Sequence, residues 1–291
     1  MNDKFLLVGG SGRVGRMVVN VWDRQPNRMV RGVLQGRGSQ VITNSSSLRW
    51  DPLQGSAELQ GWVNTYGPFK GMVVLAGITP NSGQDLSLNK TIVENCLAAA
   101  KLVGISRVLV ASSSAVYGIG DGSPFSEAAS CTPVNEYGRS KLEMEHACED
   151  FRGNDLEVCC LRIGNVAGAD ALLLNIKNSE TYTPISIDIF ADGRGPLRSY
   201  IGPKTLSMVI DTLVLQTYKL PSILNIAAPS PIHMDVLANA AGHPWVPKKP
   251  KNQSHQNISL DCSLISEIYP FTVSEGTASE IVMQWKDTLL L

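Results

Sequence analysis

The chain of 291 residues lacks the features that mark several common classes of protein. Its formal net charge is only −1, so there is no excess of basic residues for nucleic acid or for an anionic membrane surface. No segment approaches the roughly 20 apolar residues of a membrane span. The opening MNDKFLLVGG is typical of a first strand and not of a signal peptide. We therefore predict a cytoplasmic protein that has neither nucleic acid nor a membrane as its partner.

Patterns for metal and disulfide sites are missing as well. The six cysteines form no C-x-x-C pair, and the four histidines are not spaced for zinc. Cys159 and Cys160 lie together in an apolar run, where adjacent thiols pack against their neighbours. The sequence thus predicts reduced cysteines and no metal.

The first half of the chain alternates short apolar runs with helical patterns. The runs lack a two-residue alternation, which is typical of strands buried on both faces of a parallel sheet. Repeated βα units predict an α/β fold with a Rossmann-type doubly wound parallel sheet. Strands are predicted at 5–8, 28–34, 48–50, 72–76, 107–111 and about 156–161, and helices at 14–22, about 86–103 and about 136–151.

The rhythm changes after Gly168, where proline, glycine and serine cluster. We predict a dinucleotide-binding domain at 1–168 that carries the catalytic residues. A smaller substrate-binding lobe is predicted at 169–291. These boundaries are approximate, and segments of the two parts can interleave.

A glycine-rich turn follows the first predicted strand and opens the first helix. Glycine allows the tight turn and a close approach of the backbone, and the helix N-terminus offers free N–H groups to a pyrophosphate. A plain βα turn is the alternative. The cofactor-binding residues predicted here are Gly9, Gly12, Arg13, Val14 and Gly15.

The end of the second strand bears on the choice between NAD and NADP. Proteins that bind NAD usually place an acid there for the ribose hydroxyls, but this chain reads VLQGR and ends at Arg37. Arg37, helped by Arg13, fits a 2′-phosphate, which slightly favours NADP; a surface arginine is the alternative. Asp51 and Pro52 follow the third strand, where the carboxylate can accept from the adenine amino group or only form an Asp-Pro turn.

A tyrosine and a lysine are the candidate chemical groups. Tyr137 and Lys141 are four residues apart in a helical segment, so both side chains lie on one helix face. The ammonium, together with a positive nicotinamide ring, is expected to lower the pKa of the phenol. The phenolate can then take a proton from a substrate hydroxyl as hydride leaves its carbon.

Further motifs follow in a definite order. They are GGSGRVG, Leu75-Ala76-Gly77, SSSAVYG, YGRSK, LRIGNVAG at 161–168 and RSYI at 198–201. In this order the chain resembles the extended short-chain dehydrogenase/reductase family, in its NAD(P)-dependent epimerase/dehydratase group. The resemblance runs from residue 5 to about 230.

The resemblance implies roles for individual residues. Ser113 would orient the reacting oxygen beside Tyr137, the acid/base, while Lys141 would tune Tyr137 and bind the ribose. Relatives that dehydrate or decarboxylate place acids where this chain has Ser114 and Ala115. Relatives that epimerise at two carbons place a cysteine at the second of these positions. The resemblance thus favours reversible oxidation at a single carbinol carbon.

The resemblance also implies contacts beyond these residues. Arg198 would bind a pyrophosphate, although the continuation Ile201-Gly202 departs from the family pattern, so another anion or a structural ion pair stays open. A homodimer through the helices at 86–103 and 136–151 is expected. Further cofactor contacts are expected from Ala76, Gly77 and Ile163, and substrate contacts from Thr79, Ser114, Asn165 and Arg198.

The sequence therefore predicts an NAD(P)-dependent epimerase or oxidoreductase that acts on a sugar or nucleotide sugar. Two alternatives remain. One is an NADPH-dependent reductase or dehydrogenase of a small non-nucleotide carbonyl compound. The other is a catalytically idle relative that senses a dinucleotide.

Overall fold

The computed structural model describes residues 3–25, 28, 30–180, 183–252 and 256–289. The strands are β1 (Asp3–Val8), β2 (Val30–Gly36), β3 (Ser47–Arg49), β4 (Gly71–Val74), β5 (Arg107–Ser113), β6 (Glu157–Ile163), β7 (Asn165–Val166), β8 (Ile185–Asp188), β9 (Leu197–Arg198), β10 (Tyr200–Ile201), β11 (Ile223–Ile226), β12 (Ile232–His233), β13 (Trp245–Lys248) and β14 (Asn257–Ile258). The helices are α1 (Arg13–Asp23), α2 (Ala57–Tyr66), α3 (Leu88–Leu102), α4 (Glu136–Glu149), α5 (Ala171–Asn178), α6 (Pro203–Leu215), α7 (Met234–Ala241), α8 (Ser263–Ile268) and α9 (Ala278–Asp287).

The main sheet has seven parallel strands in the order β11-β6-β5-β4-β1-β2-β3. Helices cover both of its faces, because successive side chains of one strand enter different cores. Phe5 and Leu7 pack with residues of α1 and α6, while Leu6 and Val8 pack with residues of α2, α3 and α4. The predicted doubly wound parallel sheet is therefore confirmed.

The six predicted strands all appear, with ends shifted by one or two residues. The second strand begins at Val30 and not at Arg28. Met29 lies outside the described residues, as do the first two residues of the segment MNDKFLLVGG. Helix α2 is not among the predicted helices. Gly61 lies within it and only Leu59 and Trp62 are buried, so its apolar pattern is weak.

Later segments of the chain return to the main sheet. Strand β11 pairs with β6, and α6 contacts α1, so both cross the predicted division at residue 168. The remaining segments form small sheets and a third apolar cluster, which includes Leu172, Tyr200 and Trp285. Because β7 follows β6 directly, this lobe adjoins the carboxyl edge of the main sheet.

All six cysteines are free thiols. Among the described residues, no three or more His, Cys, Asp or Glu side chains gather as metal ligands would. None of the helices in the described ranges combines the length and the apolar composition needed to cross a membrane.

Candidate functional site

A cleft opens at the carboxyl ends of β1, β2, β4, β5 and β6, and the turn after β1 forms one wall of it. Gly9 has φ +87°, and a Cβ there would lie 2.3 Å from the backbone nitrogen of Ala76. A Cβ at Gly15 would lie 2.2 Å from the Gly9 carbonyl oxygen. Helix α1 begins at Arg13, directly behind this turn. The turn thus has the close packing and the helix N-terminus that suit a pyrophosphate.

Gln35 ties this turn to the neighbouring strands. Its side chain is buried, its Oε1 accepts from the Gly9 N–H at 3.1 Å, and its Nε2 donates to the Trp50 carbonyl at 2.5 Å. A neutral amide thus occupies the end of β2, where an acid is usual for NAD. The sequence analysis missed Gln35, although a polar side chain in an apolar strand is a usable signal.

Exposed arginines line the same cleft. They are Arg13, Arg16 and Arg37. Arg13 Nη1 donates to the Ala169 carbonyl at 3.3 Å, which joins the glycine turn to the segment after β7. Asp51 accepts from the Leu53 N–H at 3.1 Å, so the Asp-Pro turn is present, and Asp51 also lines the cleft.

The candidate catalytic residues meet where β5 ends and α4 begins. Asn135 caps α4 by accepting from the Gly138 N–H at 2.8 Å. A Cβ at Gly138 would lie 2.4 Å from the Ala115 carbonyl oxygen, so glycine allows α4 to approach the turn after β5. Tyr137 and Ser113 thereby face the same cleft.

Lys141 lies beneath this part of the cleft. It is 4 % exposed, its Nζ donates to the Ala111 carbonyl at 3.0 Å, and a Cβ at Gly77 would lie 3.0 Å from that Nζ. Burial lowers the pKa of Lys141 to about 8, while Cys160 and Glu145 act in the opposite direction. The Lys141 ammonium therefore loses its proton at a lower pH than an exposed lysine does.

The pKa of Tyr137 differs from expectation. The sequence predicts that the Lys141 ammonium, together with a positive nicotinamide ring, lowers it. In the chain by itself burial raises the pKa of Tyr137, and the nearby Ser113 hydroxyl acts in the opposite direction. The reason is that Tyr137 loses hydration on entering the cleft, while the Lys141 Nζ is directed to a backbone carbonyl.

Asn89 is a second residue that the sequence analysis missed. It is 1 % exposed; its Oδ1 accepts from the Ile78 N–H at 2.8 Å, and its Nδ2 donates to the Ile78 carbonyl and to Ser140 Oγ, each at 3.1 Å. Asn89 therefore links the loop after β4 to Ser140 of α4, the residue that precedes Lys141.

Most of the predicted site residues line this single cleft. Those that do are Gly9, Gly12, Arg13, Val14, Arg37, Asp51, Pro52, Ala76, Gly77, Thr79, Ser113, Tyr137, Lys141, Ile163 and Asn165. Gly15, Ser114 and Arg198 are not among its lining residues. Gly15 packs beneath the turn, and Ser114 lies in the 3₁₀ turn after β5.

Arg198 lies in the small sheet of the lobe. Its Nη1 donates to the Leu197 carbonyl at 2.7 Å and to the Gln256 carbonyl at 3.0 Å. Burial lowers the pKa of this guanidinium. These contacts with backbone carbonyls link strand β9 to the segment before β14. Arg198 thus has a structural role, and its contact with a pyrophosphate stays a prediction.

The part of the chain that carries most of the cleft residues matches a known protein family. The model of the NAD dependent epimerase/dehydratase family matches residues 5–193, which include the glycine turn and the Ser113, Tyr137 and Lys141 group. The chain belongs to the NAD dependent epimerase/dehydratase family. The resemblance seen in the sequence is therefore confirmed at the level of the family.

Relatives among characterised proteins match parts of the chain. A UDP-glucose 4-epimerase of Azospirillum brasilense is 41% identical over 75 residues, which are 25% of this chain and 22% of the relative. A UDP-glucose 4-epimerase of Streptomyces lividans is 26% identical over 215 residues, which are 69% of this chain and 64% of the relative. The matched segments thus span about a fifth and somewhat under two thirds of these relatives.

Solved structures share the fold over nearly the whole chain. A UDP-glucose 4-epimerase from Brucella ovis in complex with NAD has a TM-score of 0.76 and 20% identity, and the match covers 98% of each chain. An NAD dependent NDP-hexosamine 5,6-dehydratase has a TM-score of 0.74 at 17% identity, covering 99% of this chain and 98% of its own. At these identities the likeness establishes the fold alone, and the two proteins carry different activities.

Proposed function

We propose that this protein binds a nicotinamide dinucleotide and reversibly oxidises one carbinol carbon of a sugar or nucleotide sugar. The observation that carries the proposal is that Ser113, Tyr137 and Lys141 line the same cleft as the Gly9 turn. The close packing at Gly9 and Gly77, where a Cβ would collide with neighbouring protein atoms, fits the tight glycine turn at which a dinucleotide approaches the backbone.

A bound nicotinamide dinucleotide supplies the hydride acceptor and, when oxidised, a positive charge. Ser113 orients the substrate hydroxyl through its Oγ, and Tyr137 Oη takes the hydroxyl proton as hydride leaves the carbon. Lys141 lies below the cleft, where it would bind the ribose of the cofactor, and the positive charge of an oxidised nicotinamide ring would favour the phenolate form of Tyr137. Tyr137 returns the proton in the reverse step. Return of hydride to the opposite face of the carbonyl carbon gives the epimer.

The relatives support an epimerase as the first choice. The relatives named above are UDP-glucose 4-epimerases, and Ser114 and Ala115 give no carboxylate beside Ser113 for a dehydration. We propose Thr79 and Asn165, which line the cleft, as substrate contacts. Ser114 and Arg198 stay proposed contacts that require a side-chain rearrangement, because neither lines the cleft.

Turnover of UDP-glucose and UDP-galactose tests this function. The purified protein is incubated with each sugar nucleotide, with and without added NAD, and the stereochemistry at C4 is read by chromatography of the products. We expect conversion without net reduction of NAD. Turnover confined to NADPH and small non-nucleotide carbonyl compounds would establish the reductase alternative instead. Conversion of neither class, with or without added cofactor, would contradict the proposed epimerase and favour the idle relative.

Arg37 gives a separate prediction about the cofactor. Because Arg37 is exposed and lines the cleft, we propose that it binds a 2′-phosphate, which favours NADP. Replacing Arg37 by Ala is expected to weaken NADPH binding by about ten- to a hundredfold and leave NADH binding unchanged. The matched control is Arg31→Ala, an exposed arginine of β2, the strand that Arg37 follows; Arg31 contacts Ser45. Equal losses for NADH and NADPH in Arg37→Ala would show that Arg37 does not distinguish them.

A homodimer through α3 and α4, which pack against each other, stays a proposal. Analytical ultracentrifugation of the purified chain tests it, since a monomer at all concentrations would exclude this assembly. A cytoplasmic location likewise stays a prediction.

A further inference from the structure

Three neighbouring elements of the cleft, β5, β6 and α4, each contribute one side chain to a buried cluster. Strand β5 ends at Ser113 and contributes Ser112, and α4 contributes Glu145. Strand β6 contributes Arg162, three residues before Asn165. These three cluster residues are 5 %, 3 % and 3 % exposed. The cluster lies next to the cleft, because Ser112 also lines it.

Every oxygen of the Glu145 carboxylate has a partner in this cluster. Ser112 Oγ donates to Glu145 Oε1 at 2.5 Å. Arg162 donates through Nε to both oxygens, at 3.1 and 3.2 Å, and through Nη2 to Oε2 at 2.7 Å. The guanidinium also donates to the Glu127 carbonyl at 3.3 Å and lies 4.7 Å from the ring centroid of Tyr117. One carboxylate thus joins β5 and β6 to α4.

The register of the sheet explains this convergence. Ser112 and Arg162 are directly paired on the parallel strands β5 and β6, so their side chains leave the same face of the sheet. That face is covered by α3 and α4, because Val108, Val110 and Cys160 on it pack in the cluster of those helices. Glu145 therefore sets the position of both strand ends relative to α4.

Glu145 also acts on Lys141 through its charge. The two residues are four apart on α4 and so lie on the same helix face. The pKa of Lys141 is lowered by burial, and Glu145 is among the groups that oppose this. Arg162 pairs with that negative charge at 2.7 Å. Further ionisable groups that interact with Lys141 or with this cluster from the packed elements are Tyr117, Cys148, Cys160, Cys131 and Glu127.

We propose, on the basis of the function proposed above, that Glu145 is a positioning residue of the cleft. It acts through Ser112 on β5, which carries Ser113, through Arg162 on β6, which leads to Asn165, and through its charge on Lys141. It touches neither substrate nor cofactor.

The titration of the Lys141 ammonium tests this role without any need for turnover. The chain is labelled with isotopic lysine, and the Lys141 side-chain resonance is assigned by its loss in Lys141→Met. In Glu145→Gln the Arg162 charge is left without its partner, so the midpoint of Lys141 is expected to fall by on the order of one pH unit. In Arg162→Gln the carboxylate is left without its partner, and the midpoint is expected to rise.

A second ion pair on the same two strands supplies the control. Glu157 and Arg107 pair at 3.0 Å at the other ends of β5 and β6. Glu157→Gln is expected to lower the melting temperature, as Glu145→Gln does, and to leave the Lys141 midpoint unchanged. Circular dichroism checks that each variant is folded. If Glu145→Gln does not fold, the upward shift in Arg162→Gln decides the question alone.

The affinity for NADH, measured across pH, separates this inference from the proposed function. If the wild type binds NADH and loses this affinity at alkaline pH, and if Glu145→Gln loses it at a lower pH, both the inference and the proposed function are supported. If the wild type binds NADH but the Lys141 midpoint is the same in wild type, Glu145→Gln and Arg162→Gln, Glu145 has only a structural role. If the wild type binds neither NADH nor NADPH, the proposed function fails, whereas opposite shifts of the Lys141 midpoint would still establish the coupling of Glu145 to Lys141.

Discussion

Replacing Tyr137 by Phe is expected to lower turnover about a thousandfold and to leave the dissociation constant of the cofactor nearly unchanged. The change removes the only group that the proposed mechanism assigns to proton transfer, a role whose loss typically costs 10²- to 10⁴-fold. It keeps the ring, which is half-buried in the cleft wall beside Ser113. Steady-state rates and cofactor fluorescence titrations on the same preparation measure both quantities.

Tyr117→Phe is the matched control for this prediction. Tyr117 is fully buried and its hydroxyl donates to Asn225 Oδ1 at 2.7 Å, outside the cleft. Its loss is expected to cost about 1 kcal/mol of stability with little effect on turnover. Turnover at the wild-type rate in Tyr137→Phe would remove Tyr137 from the mechanism.

The second large effect is expected from Gly9→Ala. The alanine would have to adopt φ +87°. Its Cβ would lie 2.3 Å from the Ala76 backbone nitrogen and 2.6 Å from the Ala76 Cα. We expect the free energy of unfolding to fall by about 2–5 kcal/mol and cofactor binding to be lost, because the turn must open. Denaturant unfolding and cofactor titration measure the two effects.

Gly242→Ala is the control that separates the effect of the steric clash at Gly9 from the effect of a positive φ. Gly242 ends α7 in the left-handed region with φ +71°, and a Cβ there meets no atom within 4 Å. A cost of about 1–2 kcal/mol with normal cofactor binding is expected. If Gly9→Ala cost no more than Gly242→Ala and bound the cofactor normally, the close approach of Gly9 and Ala76 would have no role.

The elements that the sequence predicts well are those set by local pattern. Strands β1 and β5 each contain a continuous apolar run, FLLV and VLVA, that is buried on both faces of the sheet, which the composition of the run alone indicates. Strand β11 has only four residues, and its partner β6 lies some sixty residues earlier in the chain. Its place in the main sheet therefore depends on a long-range pairing that local pattern does not encode.

The candidate site divides in the same way. Tyr137 and Lys141 are four residues apart on one helix, so spacing alone places them together. Gln35 and Asn89 act through partners 11 to 51 residues away, which no local pattern identifies. The side chain of Arg198 turns to the carbonyl of Gln256, 58 residues later, which the motif around Arg198 does not reveal.

Titration of the purified chain with NAD, NADH, NADP and NADPH, followed by calorimetry, tests the central claim that this cleft is a dinucleotide redox site. The account predicts that one nicotinamide dinucleotide binds per chain, and that Gly9→Ala abolishes binding while Gly242→Ala does not. Any cofactor retained through purification is first released by denaturation and identified by chromatography. A folded wild-type chain that neither releases nor binds any of the four nucleotides would contradict the account.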